Sequence, residues 1–153
     1  MNSKDFKRFC DGYFKSKGFI RVKNTYYYNG VKGVLCAVEL QKSNYGSSYY
    51  VNYYFFLGSF TDIANYPSRY EFDIEGRIGV MSKTQKKNGK EFLTVQIEYE
   101  EYSVEELSLV FNEEFETKIL PPVKFGKKYL IDNLKKLYFL TLRQEDVLKK
   151  LME

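Results

Sequence analysis

Between Phe19 and Val80 the apolar residues of this chain recur at every second position, while on either side of that stretch they recur every three to four. A period of two puts alternate side chains on opposite faces of a strand, and a period near 3.6 puts them on one stripe of a helix. The chain is therefore read as helix, then sheet, then helices. Before the sheet, Phe6, Phe9, Cys10, Tyr13 and Phe14 form a helical stripe, with Asn2 or Ser3 able to cap it and Gly18 placed to end it.

Within the sheet region four strands are expected. The first runs from Phe19 to Tyr28 and closes at Asn29-Gly30, a pair suited to the two positive φ angles of a type I′ hairpin. The second sets Val34, Cys36, Val38 and Leu40 against Leu35, Ala37, Glu39 and Gln41. After the turn Tyr45–Ser48, the third sets Tyr49, Val51, Tyr53, Phe55 and Leu57 against Tyr50, Asn52, Tyr54 and Phe56. The fourth sets Tyr70, Phe72, Ile74, Ile78 and Val80 against Arg69, Glu71, Asp73, Glu75 and Arg77. Short links imply antiparallel pairing in chain order. A second Asn-Gly, Asn88-Gly89, follows the basic stretch 83–87 and introduces a weaker fifth strand through Leu93, Val95, Ile97 and Tyr99.

Helices follow. Ser103-Val104-Glu105-Glu106 is a capping box ahead of the stripe Val104, Leu107, Val110, Phe111, Phe115 and Ile119, which Pro121-Pro122 is expected to stop. Tyr129, Leu130, Leu134, Leu137 and Tyr138 suggest another helix. Thr141 and Gln144 offer a capping box before Val147, Leu148 and Leu151. The expected fold class is α+β in a single domain over residues 1–153: an antiparallel meander of four to five strands, one helix before it and two or three after. The helices cover one face, and the charged alternate face of the fourth strand is left to solvent.

Composition narrows the chemistry. The 153 residues contain no histidine, which removes Ser-His and Cys-His nucleophile pairs, His-ligated metals and any imidazole base. Two cysteines build neither a disulfide framework nor a structural zinc site, and both lie on apolar faces. The N-terminal residues lack the apolar run of a signal peptide, and nothing approaches the roughly 20 apolar residues of a membrane span, so a cytoplasmic protein without a membrane segment is expected. No phosphate-binding glycine loop or nucleophile elbow is present, and no cofactor, metal or catalytic set is assigned. The net charge of +4 is concentrated in the first fifty residues, too modest for a nucleic-acid footprint.

Two clusters deserve weighing as sites. Glu71, Asp73 and Glu75 on one strand face, about 6.6–6.8 Å apart, could hold a divalent ion or serve a metal-dependent or acid/base hydrolase. A solvated face balanced by Arg69 and Arg77 accounts for them better. The other cluster is aromatic: Tyr50 and Tyr54 with Asn52, and the run Tyr26–Tyr28. Cross-strand packing is the plain explanation, and a protein ligand ranks ahead of nucleic acid because acids are mixed among the tyrosines. The candidate binding face is Gln41, Tyr50, Asn52, Tyr54, Glu71, Asp73, Glu75 and Arg77. The functional expectation is a non-enzymatic interaction protein, immunity-type (toxin-neutralising) in its specific form, with another protein as partner and the oligomeric state left open.

Several strings fall in a familiar order: Lys17-Gly18-Phe19, Val38-Glu39-Leu40-Gln41-Lys42-Ser43, Asn52 in an aromatic strand, Arg77-Ile78-Gly79, and Ile119-Leu120-Pro121. In these the chain resembles the bacterial domain-of-unknown-function family numbered 4304, across most of its length up to about Leu137. The resemblance implies the same order of strands and helices and carries no activity with it.

Overall fold

Asn2 caps the first helix, its side chain accepting from the Asp5 amide at 2.8 Å, and α1 runs over Ser3–Ser16 until Gly18 turns out of it at φ 95°. A computed structural model of the chain describes residues 1–30, 33–133, 141–142 and 146–152. Five strands follow as an antiparallel meander: β1 (Ile20–Val22), β2 (Thr25–Asn29), β3 (Val34–Lys42), β4 (Tyr49–Leu57) and β5 (Ile74–Arg77). The fold is α+β, as the change of period implies.

The details depart from expectation where turn chemistry overrides pattern. The first expected strand is two strands, because Val22 pairs with Thr25 across a tight turn in which Lys23 takes φ 58°. Asn29-Gly30 is not a two-residue hairpin. Asn29 still pairs with Leu35, the Gly30 amide donates to the Val34 carbonyl at 2.9 Å, and the positive φ of 79° falls on Gly33. What Gly30 supplies is clearance, since a Cβ there would lie 2.5 Å from the carbonyl oxygens of both Val34 and Val123.

The fourth expected strand begins late. Arg69–Glu71 is a 3₁₀ turn, Tyr70 is 68% exposed, and regular pairing starts only at Ile74. The expected fifth strand leaves the meander. β6 (Val80–Lys87) and β7 (Lys90–Thr94) form a separate ribbon that includes the basic stretch 83–87, turning at Asn88-Gly89 with φ 52° and 74° as that dipeptide favours. Leu93 is therefore exposed, while Ile97 returns to bridge Tyr49 at the sheet.

The capping box forms as read: Ser103 Oγ accepts from the Glu106 amide and Glu106 Oε1 from the Ser103 amide, both at 3.1 Å, opening α2 (Val104–Glu114). Val104 itself faces solvent. Pro121-Pro122 does not stop the helical path. A widened π turn over Phe115–Ile119, in which the Leu120 amide reaches back five residues to the Phe115 carbonyl, precedes the prolines. They then sit in the first turn of α3 (Leu120–Phe125), where a missing N–H costs nothing. Gly126 at φ 81° separates α3 from α4 (Lys127–Asp132), and α5 (Asp146–Met152) closes the described chain. Tyr129 and Leu130 lie in α4, whereas Leu134, Leu137, Tyr138 and Gln144 fall outside the described residues. Thr141 falls in a strand and not at a helix start: with Leu142 it forms β8, paired to Glu75 and Ile74 at the β5 edge.

The helices bury the inner sheet face. Phe6, Cys10 and Phe14 of α1 and Leu107 and Phe111 of α2 pack onto Cys36, Val38, Val51, Tyr53, Phe55 and Ile74. Phe111 lies at the centre, its ring 5.3 Å from Phe9, 5.3 Å from Tyr13, 6.3 Å from Phe14 and 6.4 Å from Phe115. Both thiols are in this core, and burial pushes the pKa of each upward. No described helix is long and apolar enough to cross a membrane.

Candidate functional site

The outer face is not simply open. Leu35, Ala37 and Phe56 are apolar residues on the side opposite the helices, and apolar surface on both sides of a strand demands cover on both. Residues 58–73 provide it. They cross the sheet in two 3₁₀ turns, the first capped by Asp62 onto the Ala64 amide and the second by the reciprocal Ser68–Glu71 pair. Tyr66 packs on Tyr27 at 5.1 Å and Phe72 on Tyr54 at 5.4 Å. The Tyr27 hydroxyl donates to the Pro67 carbonyl, and Asn29 Nδ2 to that of Phe60. The result is a second, smaller core of Tyr27, Leu35, Ala37, Tyr54 and Phe56.

Where this cover ends, toward Gln41 and Tyr50, a recess of about 270 Å³ remains, walled by Gln41, Tyr54, Arg69, Phe72, Glu75 and Arg77, with Tyr70 at its rim. Register explains half of these residues. Gln41 pairs with Tyr50, Asn52 with Arg77 and Tyr54 with Glu75, so strand parity brings them all to one face. Two arginines flank the space. Arg69 donates to Glu39 Oε1 at 2.8 Å and to the Tyr70 hydroxyl at 2.7 Å, with its guanidinium 4.7 Å from the centre of the Tyr70 ring. The Tyr54 hydroxyl donates to the same Glu39 oxygen at 2.8 Å, so the buried carboxylate is held from two sides. Arg77 stacks 4.3 Å from the Tyr50 ring centre, and its Nε donates to Asn52 Oδ1 at 2.9 Å. Asn52, itself buried, is oriented by donating to Gln41 Oε1 at 2.9 Å.

The electrostatics suit holding rather than proton transfer. Burial and then the Glu39 contact push the Tyr54 phenol up, and the hydrogen bond to Tyr70 and the Glu39 carboxylate push Arg69 up. Both move away from neutrality, whereas a general acid or base works best near the operating pH.

Six of the eight expected face residues meet here: Gln41, Tyr50, Asn52, Tyr54, Glu75 and Arg77. Glu71 and Asp73 do not. Glu71 accepts from the Ser68 amide at 2.9 Å within its own turn. Asp73 is 6% exposed, accepting from the Leu57 amide at 2.8 Å and pairing with Lys150 at 2.7 Å. The three carboxylates read as a triad thus serve three separate structures. Among the described residues no group of three or more His, Cys, Asp or Glu is placed to hold a metal. Arg69, Tyr70 and Phe72 belong to the recess although the period assigned the first to an open strand face and the other two to the core. The family model for a domain of unknown function, DUF4304, matches residues 11–124. The chain belongs to the DUF4304 family. No curated protein and no solved structure matches the chain.

The match extends from within α1 to α3 of the DUF4304 domain and contains every residue of the recess. The Asp73 contacts reverse the expectation of a dispensable surface acid. Asp73→Ala leaves a buried Leu57 amide without its acceptor, and the expected loss in a denaturant melt is about 1–3 kcal/mol. Glu71→Ala, an exposed cap, is the comparison; equal, negligible losses would show that the Leu57 contact is not made in solution.

A second polar feature in this DUF4304 domain lies beneath the helices. Glu114 is buried, its Oε1 paired with Lys118 at 3.1 Å, and neither its Oε2 nor the Tyr53 hydroxyl has a hydrogen-bond partner among the described residues. Burial pushes the Glu114 carboxyl up against the opposing pull of Lys118. The folded state therefore keeps this proton to higher pH than the unfolded chain, and the group costs stability as pH rises through that interval.

Proposed function

We propose that this DUF4304 domain is a non-enzymatic protein-recognition module of the cytoplasm, and that it recognises its partner on the outer sheet face around the Arg69–Arg77 recess. One observation carries the reading: two arginines, each stacked on a tyrosine at 4.7 Å and 4.3 Å, flank a recess of about 270 Å³. Tyrosine and arginine are enriched at the hot spots of protein interfaces, tyrosine because it buries large area with few rotatable bonds and arginine where its long side chain is already held. Here the freezing is already done by Tyr50, Asn52, Glu39 and Tyr70. The mixture of carboxylates with guanidiniums favours a complementary protein over a polyanion.

The specific form of this reading is an immunity-type role, in which the face covers a toxin. The mixed charged and aromatic character of that face supports it. Its test is co-expression with a toxin encoded beside the gene: protection by the wild type and none by Arg77→Ala is the expected result. For recognition in general, a captured partner should bind Arg77→Ala and Tyr70→Ala more weakly by about 1–3 kcal/mol, or about five- to 150-fold. Arg8→Ala, on the outer side of α1, should bind as the wild type does. A partner that binds all four proteins equally would remove the outer face from consideration.

A further inference from the structure

Three of the four described arginines are neutralised in place. Arg8 pairs with Asp5 at 4.0 Å, Arg21 with Asp11 at 3.2 Å and Arg69 with Glu39 at 2.8 Å. Arg77 alone among the described arginines has no carboxylate at ion-pair distance. Its partners are neutral: the Tyr50 ring, Asn52 Oδ1, and Gln41 Oε1 at 3.5 Å from Nη2. The ring fixes the plane of the guanidinium and the buried Asn52 fixes its Nε edge. That leaves the Nη1/Nη2 fork oriented and its charge unspent. Glu75 lies two residues away on the same strand face and shares the recess, yet forms no ion pair with Arg77.

We infer that the Arg77 fork is a receptor for one carboxylate, the side chain of an aspartate or glutamate that a partner protein inserts into the recess. The inference rests on the reading of this face as a protein-recognition surface and names what that surface selects. A planar carboxylate matches a guanidinium fork in two parallel hydrogen bonds, and little entropy is lost when the fork is already held. The recess, at about 270 Å³, has room for one such side chain. Glu75 on its wall repels any anion entering beside it, a dianionic phosphate more strongly than a monoanionic carboxylate, and it can accept the backbone N–H that accompanies an acidic side chain.

The probe is N-acetyl-glutamate N-methylamide, titrated at constant ionic strength against the ¹⁵N-labelled protein while the arginine Nε–Hε signals are followed. Saturable movement of the Arg77 signal is expected, with a dissociation constant in about the millimolar range. The glutamine analogue should leave the signal in place. Arg77→Lys retains the charge and loses the fork, and should weaken the probe about tenfold. Tyr50→Leu removes the ring that holds the fork and should weaken it severalfold with the amide spectrum otherwise intact. Equal response to the glutamine analogue, or stronger binding of inorganic phosphate, would overturn the carboxylate assignment. If a captured partner is lost on Arg77→Ala while the probe gives no response, the recognition face stands and the carboxylate receptor falls.

Discussion

Replacing Phe111 with alanine is expected to destabilise the protein by about 3–5 kcal/mol, the range for truncating a fully buried aromatic ring. The ring is inaccessible to solvent and touches α1 through Phe9, Tyr13 and Phe14 and the π turn through Phe115. Those neighbours are large and interlocked, so the cavity cannot collapse without moving two helices. The better helix propensity of alanine returns only a few tenths of a kcal/mol. A urea melt with unchanged slope and a much lower midpoint is the expected record. A loss below about 1 kcal/mol would mean that α1 and α2 do not meet at this ring.

The second large effect is expected from adding one carbon. A Cβ at Gly76 would lie 2.5 Å from Cζ and 2.6 Å from the hydroxyl oxygen of Tyr53. Tyr53 is fully buried and wedged edge-on against Phe55 at 5.9 Å, so it has nowhere to retreat. Gly76→Ala should cost at least about 1–3 kcal/mol despite alanine being the better strand residue. Gly12 in α1 provides the opposite sign: nothing lies within 4 Å of its would-be Cβ, and Gly12→Ala should stabilise by about 0.5–1 kcal/mol. If Gly76→Ala instead raises the midpoint, as Gly12→Ala should, the packing of β5 against Tyr53 is wrong.

The parts of this fold that were legible in the sequence are those where burial enforces a period. β3 and β4 alternate because one side of each faces the helical core residues Phe6, Cys10, Phe14, Leu107 and Phe111, and a slip of one residue would exchange the sides. That parity also made Gln41, Tyr50, Asn52, Tyr54, Glu75 and Arg77 readable as one face. The alternation at 69–73 looked the same and was not. It arises from a segment whose own hydrogen bonds are local, and the competing signal was Ser68-Arg69-Tyr70-Glu71, the same spacing that marked Ser103–Glu106. The need for cover was also written on the outer side of β3 and β4, in Leu35, Ala37 and Phe56. The path of that cover depends on contacts between residues far apart in the chain, which no periodicity encodes. Hence Arg69, Tyr70 and Phe72 were placed away from the site and Glu71 and Asp73 on it. Pro121-Pro122 misled for a different reason: a proline pair breaks a regular helix, and the π turn before it makes the helix irregular.

The recess has walls of two different origins. Gln41, Glu75 and Arg77 stand on paired strands, whereas Arg69, Tyr70 and Phe72 stand on a segment tied to the sheet by ring contacts to Tyr27 and Tyr54, side-chain bonds from Tyr27 and Asn29, and the Arg69–Glu39 ion pair. Opening of that segment exposes the smaller core without disturbing the larger one, so it is a separate unit of local unfolding. Whatever seats between Arg69 and Arg77 binds only the closed form, and its binding energy is added to the closing equilibrium. The amides of residues 58–73 should then exchange hydrogen more slowly when the recess is filled, even at positions the ligand never touches. A substitution as remote as Tyr27→Phe, which cuts the tie to Pro67, should weaken the ligand through the population of the closed form alone.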